Sequence, residues 1–120
     1  MQTPRIDLPP VSEQVTHPLS PVQPPVEPAL EQQLAWTGDA VLALWAREYI
    51  LRTLGRLDTE TFLRLTANSF LQSLGRPTRV EAEFGLVYQR EGLAAAFAYI
   101  EARLLPTFQR QEANRRRQRR

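Results

Sequence analysis

The sequence predicts an all-α fold, a small bundle of about five helices. Three observations carry that prediction. Apolar residues recur at three- and four-residue spacing, as in Leu93, Ala96, Phe97, Ile100 and Leu104. No alternating apolar and polar run reaches useful strand length. Glycine and proline punctuate the periodic segments at Gly55, Gly75, Pro77 and Gly92, where helices stop and start.

Residues 1–28 hold eight of the ten prolines, with Ser, Thr, Gln and Val between them, and read as a disordered proline-rich arm. The foldable domain is 29–108. Pro28 suits the first turn of a short helix over 29–36. A second helix runs from about Gly38 to Leu54 and stops at Gly55. Asp58 or Thr59 caps a third, with Glu60 in its first turn and Gly75 past its end. Leu63, Ala67, Phe70, Leu71 and Leu74 recur on its inner face. A fourth starts near Pro77 or Thr78 and continues through Tyr88. The fifth starts near Gly92, and Pro106 kinks or ends it. Residues 109–120 are then a disordered, arginine-rich tail.

Composition removes several function classes. Cysteine is absent, which excludes disulfides and thiolate metal sites. Pro9 and Pro10 interrupt any signal-like pattern, and the best apolar run, Ala40 to Ala46, is too short to span a bilayer. A soluble, cytoplasmic protein with no membrane partner is expected. A domain of this size would gain from oligomerisation. The net charge of +2 conceals a split: residues 109–120 carry six arginines against one acid, Glu112, whereas residues 1–108 carry nine arginines and twelve acids. All fifteen cations are arginine, for which a GC-rich genome is the simplest cause.

Two acidic segments stand out. In Leu34-Ala35-Trp36-Thr37-Gly38-Asp39-Ala40-Val41-Leu42, one carboxylate sits beside a glycine at the head of an apolar helix. A free acid there needs a cation, a donor or water. The second segment is Val80-Glu81-Ala82-Glu83-Phe84-Gly85-Leu86-Val87-Tyr88. If Asp39 and Glu81 converge from two helices, they suit a hard divalent cation that keeps several waters. Such a cation supports attack of water on a phosphodiester. Taken singly, each acid has a plainer reading: Asp39 as charge at a helix start, Glu81 and Glu83 as solvated residues in an early turn.

Other candidates are weaker. His17, the only histidine, lies in the arm and reads as an incidental loop residue. Ser20, Ser69 and Ser73 lack a base or a nucleophile-elbow pattern. No phosphate-binding glycine loop or zinc spacing occurs. Trp36 and Trp45 fit core or dimer packing better than stacking on RNA bases. Arg47, Arg52, Arg56, Arg64, Arg76 and Arg79 read mostly as solvated surface, with phosphate contacts as the alternative. Arg115, Arg116, Arg117, Arg119 and Arg120 are dense enough to bind polyanions such as RNA in a salt-dependent way. The proline-rich arm is a passive tether or a docking segment.

The Leu34–Leu42 segment resembles the signature of the ribonuclease III family, in which Gly-Asp and a small residue precede apolar ones. Glu81-Ala82-Glu83-Phe84-Gly85, continued by Leu86, Val87 and Tyr88, is similar to the family's second motif, and Gly92-Leu93 matches the Gly-Leu that follows. Leu57 to Leu74 loosely resembles the helix between them, so the resemblance covers about residues 29–105. The family's other two acids would fall at Ala35 and Thr78. Those replacements resemble the Mini-ribonuclease III branch, which also lacks a double-stranded-RNA-binding domain. Only 42 positions separate Asp39 from Glu81. That is fewer than the family normally has, as if a helix and its glycine- and basic-rich loop were absent between Gly75 and Pro77.

The resemblance implies a Mg²⁺-dependent endoribonuclease, Mn²⁺ being the other candidate metal, that cleaves double-stranded or structured RNA. Asp39 and Glu81 would be both its catalytic residues and its metal ligands. It implies a homodimer formed through the signature helix, and ribosomal RNA maturation, with the ribosome or pre-ribosomal RNA as partner. The reduced acid set and short middle leave a catalytically degenerate, ribonuclease III-fold RNA-binding or ribosome-associated protein as the alternative. A helical dimer with no RNA role is the third reading.

Overall fold

A computed structural model describes residues 21–119, and these form an all-helical bundle of five helices. Helix α1 spans Pro28–Leu54, α2 Thr59–Thr66, α3 Asn68–Leu71, α4 Pro77–Glu91 and α5 Leu93–Gln118. Residues 1–20 of the arm, with His17 and Ser20, lie outside the described residues, as does Arg120. No described helix is long and apolar enough to cross a membrane.

The expected helices over 29–36 and 38–54 are one continuous α1. Pro28 opens it, and Gly55 closes it in the left-handed region at φ 72°, its N–H donating to the Leu51 carbonyl at 3.0 Å. Gly38 does not break the helix, because its missing side chain is required by a neighbouring helix rather than by a turn. The expected third helix is divided instead. Asp58 caps α2 by accepting from the Thr61 N–H at 3.1 Å, and that bond holds its carboxyl below the usual range. At Ala67 the backbone becomes extended, with ψ 144°, before α3 begins. Thr66 folds its hydroxyl back on the Phe62 carbonyl, and Asn68 is a weak helix former, so propensity is low at the break. The inner face shifts accordingly: Leu65 is fully buried, while Leu63, expected inside, is exposed.

Pro77 starts α4 where expected, and Gly92, at φ 93°, separates it from α5. Pro106 neither ends α5 nor prevents its continuation to Gln118. The expected disordered tail is therefore helical as far as Gln118. Its Gln, Arg, Glu and Ala residues are good helix formers, and Arg64 of α2 anchors Glu112 through two bonds, Nε to Oε2 at 2.9 Å and Nη2 to Oε1 at 3.0 Å.

The core gathers Leu42 and Trp45 of α1, Leu65 of α2, Phe84 of α4, and Ile100 and Leu104 of α5, all essentially inaccessible. The indole N–H of Trp45 reaches the Glu101 carboxylate at 3.2 Å, so this large ring is buried with its donor satisfied. The most extensive interface joins α1 to α4.

Candidate two-carboxylate site

The site arises where α1 and α4 cross with almost no side chain between them. A Cβ on Gly38 would lie 1.8 Å from the Glu81 carbonyl oxygen, and one on Gly85 would lie 2.0 Å from that of Leu34. The contact is reciprocal: each glycine receives the carbonyl of the residue four positions before the other glycine. Only glycine permits backbones to approach so closely. The two helices start at the same end of the bundle, because Glu31 in the first turn of α1 accepts from Arg76 at 2.9 Å and Arg79 at 2.8 Å, at the start of α4.

This crossing brings Asp39 and Glu81 together, the convergence that a two-carboxylate site requires. Asp39 follows Gly38 directly, and the Glu81 backbone rests on that same glycine. The Glu81 carboxyl is pushed up to about 7, first by burial, then by a hydrogen bond with Asp39 and by the Asp39 charge. Asp39 is exposed and Glu81 half-buried, so the pair is open to solvent on one side.

Neighbouring arginines do not neutralise the pair. Among the described residues, neither acid makes an ion pair, because the nearby guanidinium groups are held elsewhere. Arg76 and Arg79 go to Glu31, and Arg103 goes to Glu83. The donor set is thus two hard carboxylates with an unmet charge, which fits a divalent cation sharing its sphere with water. No group of three His, Cys, Asp or Glu side chains suited to a metal occurs among the described residues. Ala35, one turn before Asp39, is buried and apolar, and Thr78, one turn before Glu81, brings no charge.

Glu83 does not behave as the solvated residue expected of it. It is buried against Arg103, which donates from Nε at 2.8 Å and Nη2 at 2.9 Å, and Tyr99 adds its hydroxyl at 2.7 Å. Burial and the Glu83 hydrogen bond raise the Tyr99 hydroxyl, and the bond to Glu83 raises Arg103. The same Tyr99 hydroxyl accepts from the Val22 N–H at 3.0 Å, while Arg79 donates to the Pro24 carbonyl at 2.6 Å and to that of Pro25 at 3.3 Å. The extended segment before α1 is therefore tied to the bundle, and Arg79 is a structural anchor rather than solvated surface. One signal for Glu83 was available: it shares a helical face with Val80, Phe84 and Val87, all of which are buried.

Of the remaining candidates, Trp45 is core and Trp36 is exposed, at 83%. Arg115, Arg116, Arg117 and Arg119 occupy the end of α5, away from the acids along the chain. Neither the family models, the curated proteins nor the solved structures yield a match to this chain.

Proposed function

We propose that this protein is a metal-dependent endoribonuclease of the ribonuclease III type acting on double-stranded or structured RNA, with ribosomal RNA precursors as the substrate class. The observation that carries this reading is the convergence of Asp39 and Glu81 across the Gly38–Gly85 crossing, without a neutralising cation among the described residues.

Asp39 and Glu81 would hold Mg²⁺, or Mn²⁺ in its place. When bound, such an ion supplies Lewis-acid stabilisation of charge developing on a phosphodiester. The proton that burial and Asp39 keep on Glu81 up to about 7 would be displaced by a cation held there, and Asp39 stands on the exposed side of the site. The close-packed glycines fix the two carboxylates to rigid helices rather than to loops. The α5 arginines contribute electrostatic affinity for phosphates.

A homodimer through α1 accompanies this reading. Trp36, Leu44, Leu51 and Leu54 leave large apolar side chains on that helix exposed, which a second copy would cover.

A duplex RNA incubated with Mg²⁺ should be cleaved by the wild-type protein, and Asp39→Asn or Glu81→Gln should slow cleavage by roughly 100-fold or more. Ala35, Thr78 and the two-acid count favour a second reading, a non-catalytic RNA-binding protein on the same fold. Salt-dependent binding without cleavage in either metal would replace the nuclease reading with that one. Absent or salt-independent RNA binding would remove both.

A further inference from the structure

We infer that the C-terminal end of α5 is a rigid phosphate-gripping arm for an RNA duplex, held about 20 Å from the Asp39–Glu81 pair. The inference rests on the RNA reading above and adds a second contact point with a defined separation.

Four observations support it. The segment after Phe108 is helical rather than loose, and it carries Arg110, Arg115, Arg116, Arg117 and Arg119 against a single acid. That acid, Glu112, ties the helix to the bundle through Arg64, whose Nη2 also reaches the Thr61 hydroxyl at 3.2 Å. Arg115 joins this tie, its Nη1 lying 3.7 Å from Glu112 Oε1, and Arg116 follows it on the helix. Arg116 lines a cleft of about 240 Å³ with Tyr49, Thr53 and Leu54, and Arg115 lines one of about 440 Å³ with Arg64 and Ser69. The arm is thereby fixed beside the C-terminal end of α1.

The separation follows from helix geometry. Asp39 and Thr53 lie on one α1 helix, fourteen positions apart, and at about 1.5 Å per residue this is roughly 20 Å. Asp39 and Thr53 are both exposed, whereas Ala46 and Ile50 between them are buried, so the two contact points are the open ends of a stretch of α1 covered by the bundle.

The chemistry favours nucleic acid over a lipid surface. Between Gln109 and Arg119 the only apolar residue is Ala113, so the arm offers a bilayer no apolar face to bury. Guanidinium groups displayed around a helix match the repeated phosphates of a backbone, which they contact without reading sequence.

The test uses the full chain carrying Asp39→Asn, so that binding is read without cleavage, and a series of blunt RNA duplexes of increasing length. Affinity should rise more than tenfold once a duplex exceeds about 20 Å, and removal of residues 113–120 should abolish that rise. The truncation should also reduce the slope of log K against log salt by about 3 to 5. Glu112→Gln retains every arginine and raises the net charge. A tied arm loses the length step in this variant while keeping a steep salt slope, whereas a loose tail keeps both and binds more tightly. An unchanged salt slope on truncation, an unchanged length step in Glu112→Gln, or binding to phosphatidylserine-containing vesicles with no preference for the longer duplexes would each overturn the inference. Cleavage by the wild-type protein, measured separately on the longest duplex, distinguishes failure of the arm from failure of the nuclease reading.

Discussion

Four acids in α1 and α4 share similar sequence surroundings and have different fates. Glu31 and Glu83 are buried with arginine partners, whereas Asp39 and Glu81 face each other with none among the described residues. Arg79's hydrogen bond holds Glu31 low against the opposing effect of burial, while Glu81 is raised to about 7 by burial and then by Asp39. The consequence for stability has a definite sign. The unfolded chain releases the Glu81 proton near its ordinary value of 4.5, but the folded protein retains it up to about 7. Between those values the folded state binds more protons, so this group's contribution falls as pH rises. Metal-free protein should therefore lose thermal stability across that window. Asp39→Asn should shallow the decline without removing it, because burial is the larger cause. Melting curves from pH 4.5 to 8 measure both slopes, and identical slopes would mean that the acids do not interact. Asp39 was legible in the sequence because it follows Gly38, and Glu81 because it lies one helical turn before Gly85. Glu83 was misread because its charge outweighed its place on the apolar face.

At the scale of the helices, glycine carries two different messages that composition alone does not separate. Gly55 and Gly92 end helices with positive φ, as their positions between periodic segments indicated. Gly38 looked like a boundary because glycine is a poor interior helix residue, yet its role is tertiary. A backbone carbonyl from another helix occupies the space its Cβ would fill. Gly38→Ala and Gly85→Ala should each cost about 3 kcal/mol or more, since backbone cannot yield as a flexible side chain can. Gly55→Ala meets nothing within 4 Å, so its cost is confined to left-handed backbone strain of about 1–2 kcal/mol. Urea midpoints for the three variants rank them, and an equal loss at Gly55 would contradict the close crossing. Pro106 illustrates the opposite error. A local rule offered a kink or an end, and the end does not occur, because packing of Leu104 and Phe108 on either side and the Arg64–Glu112 tie carry α5 past it.

For the whole molecule, helical class and the principal core segments were legible from periodicity, but the surface partition was not. Trp36 read as packing, and one copy of the chain leaves it exposed. Sedimentation at micromolar concentration should show a dimer, and Trp36→Ser should shift it toward monomer by at least tenfold in dissociation constant. A wild-type monomer at those concentrations would remove the expected role of α1. The segment joining α1 to α4 was equally hard to weigh from sequence, because its brevity suggested lost machinery. The crossing gives that brevity a different meaning. Interlocked backbones, with Gly38 against Glu81 and Gly85 against Leu34, set the spacing of the two acids, and the chain between Leu54 and Pro77 does not. The spacing of the acids thus belongs to the crossing, and the segment between Leu54 and Pro77 serves the fold in another way, by closing the core with Leu65, Phe70 and Leu71.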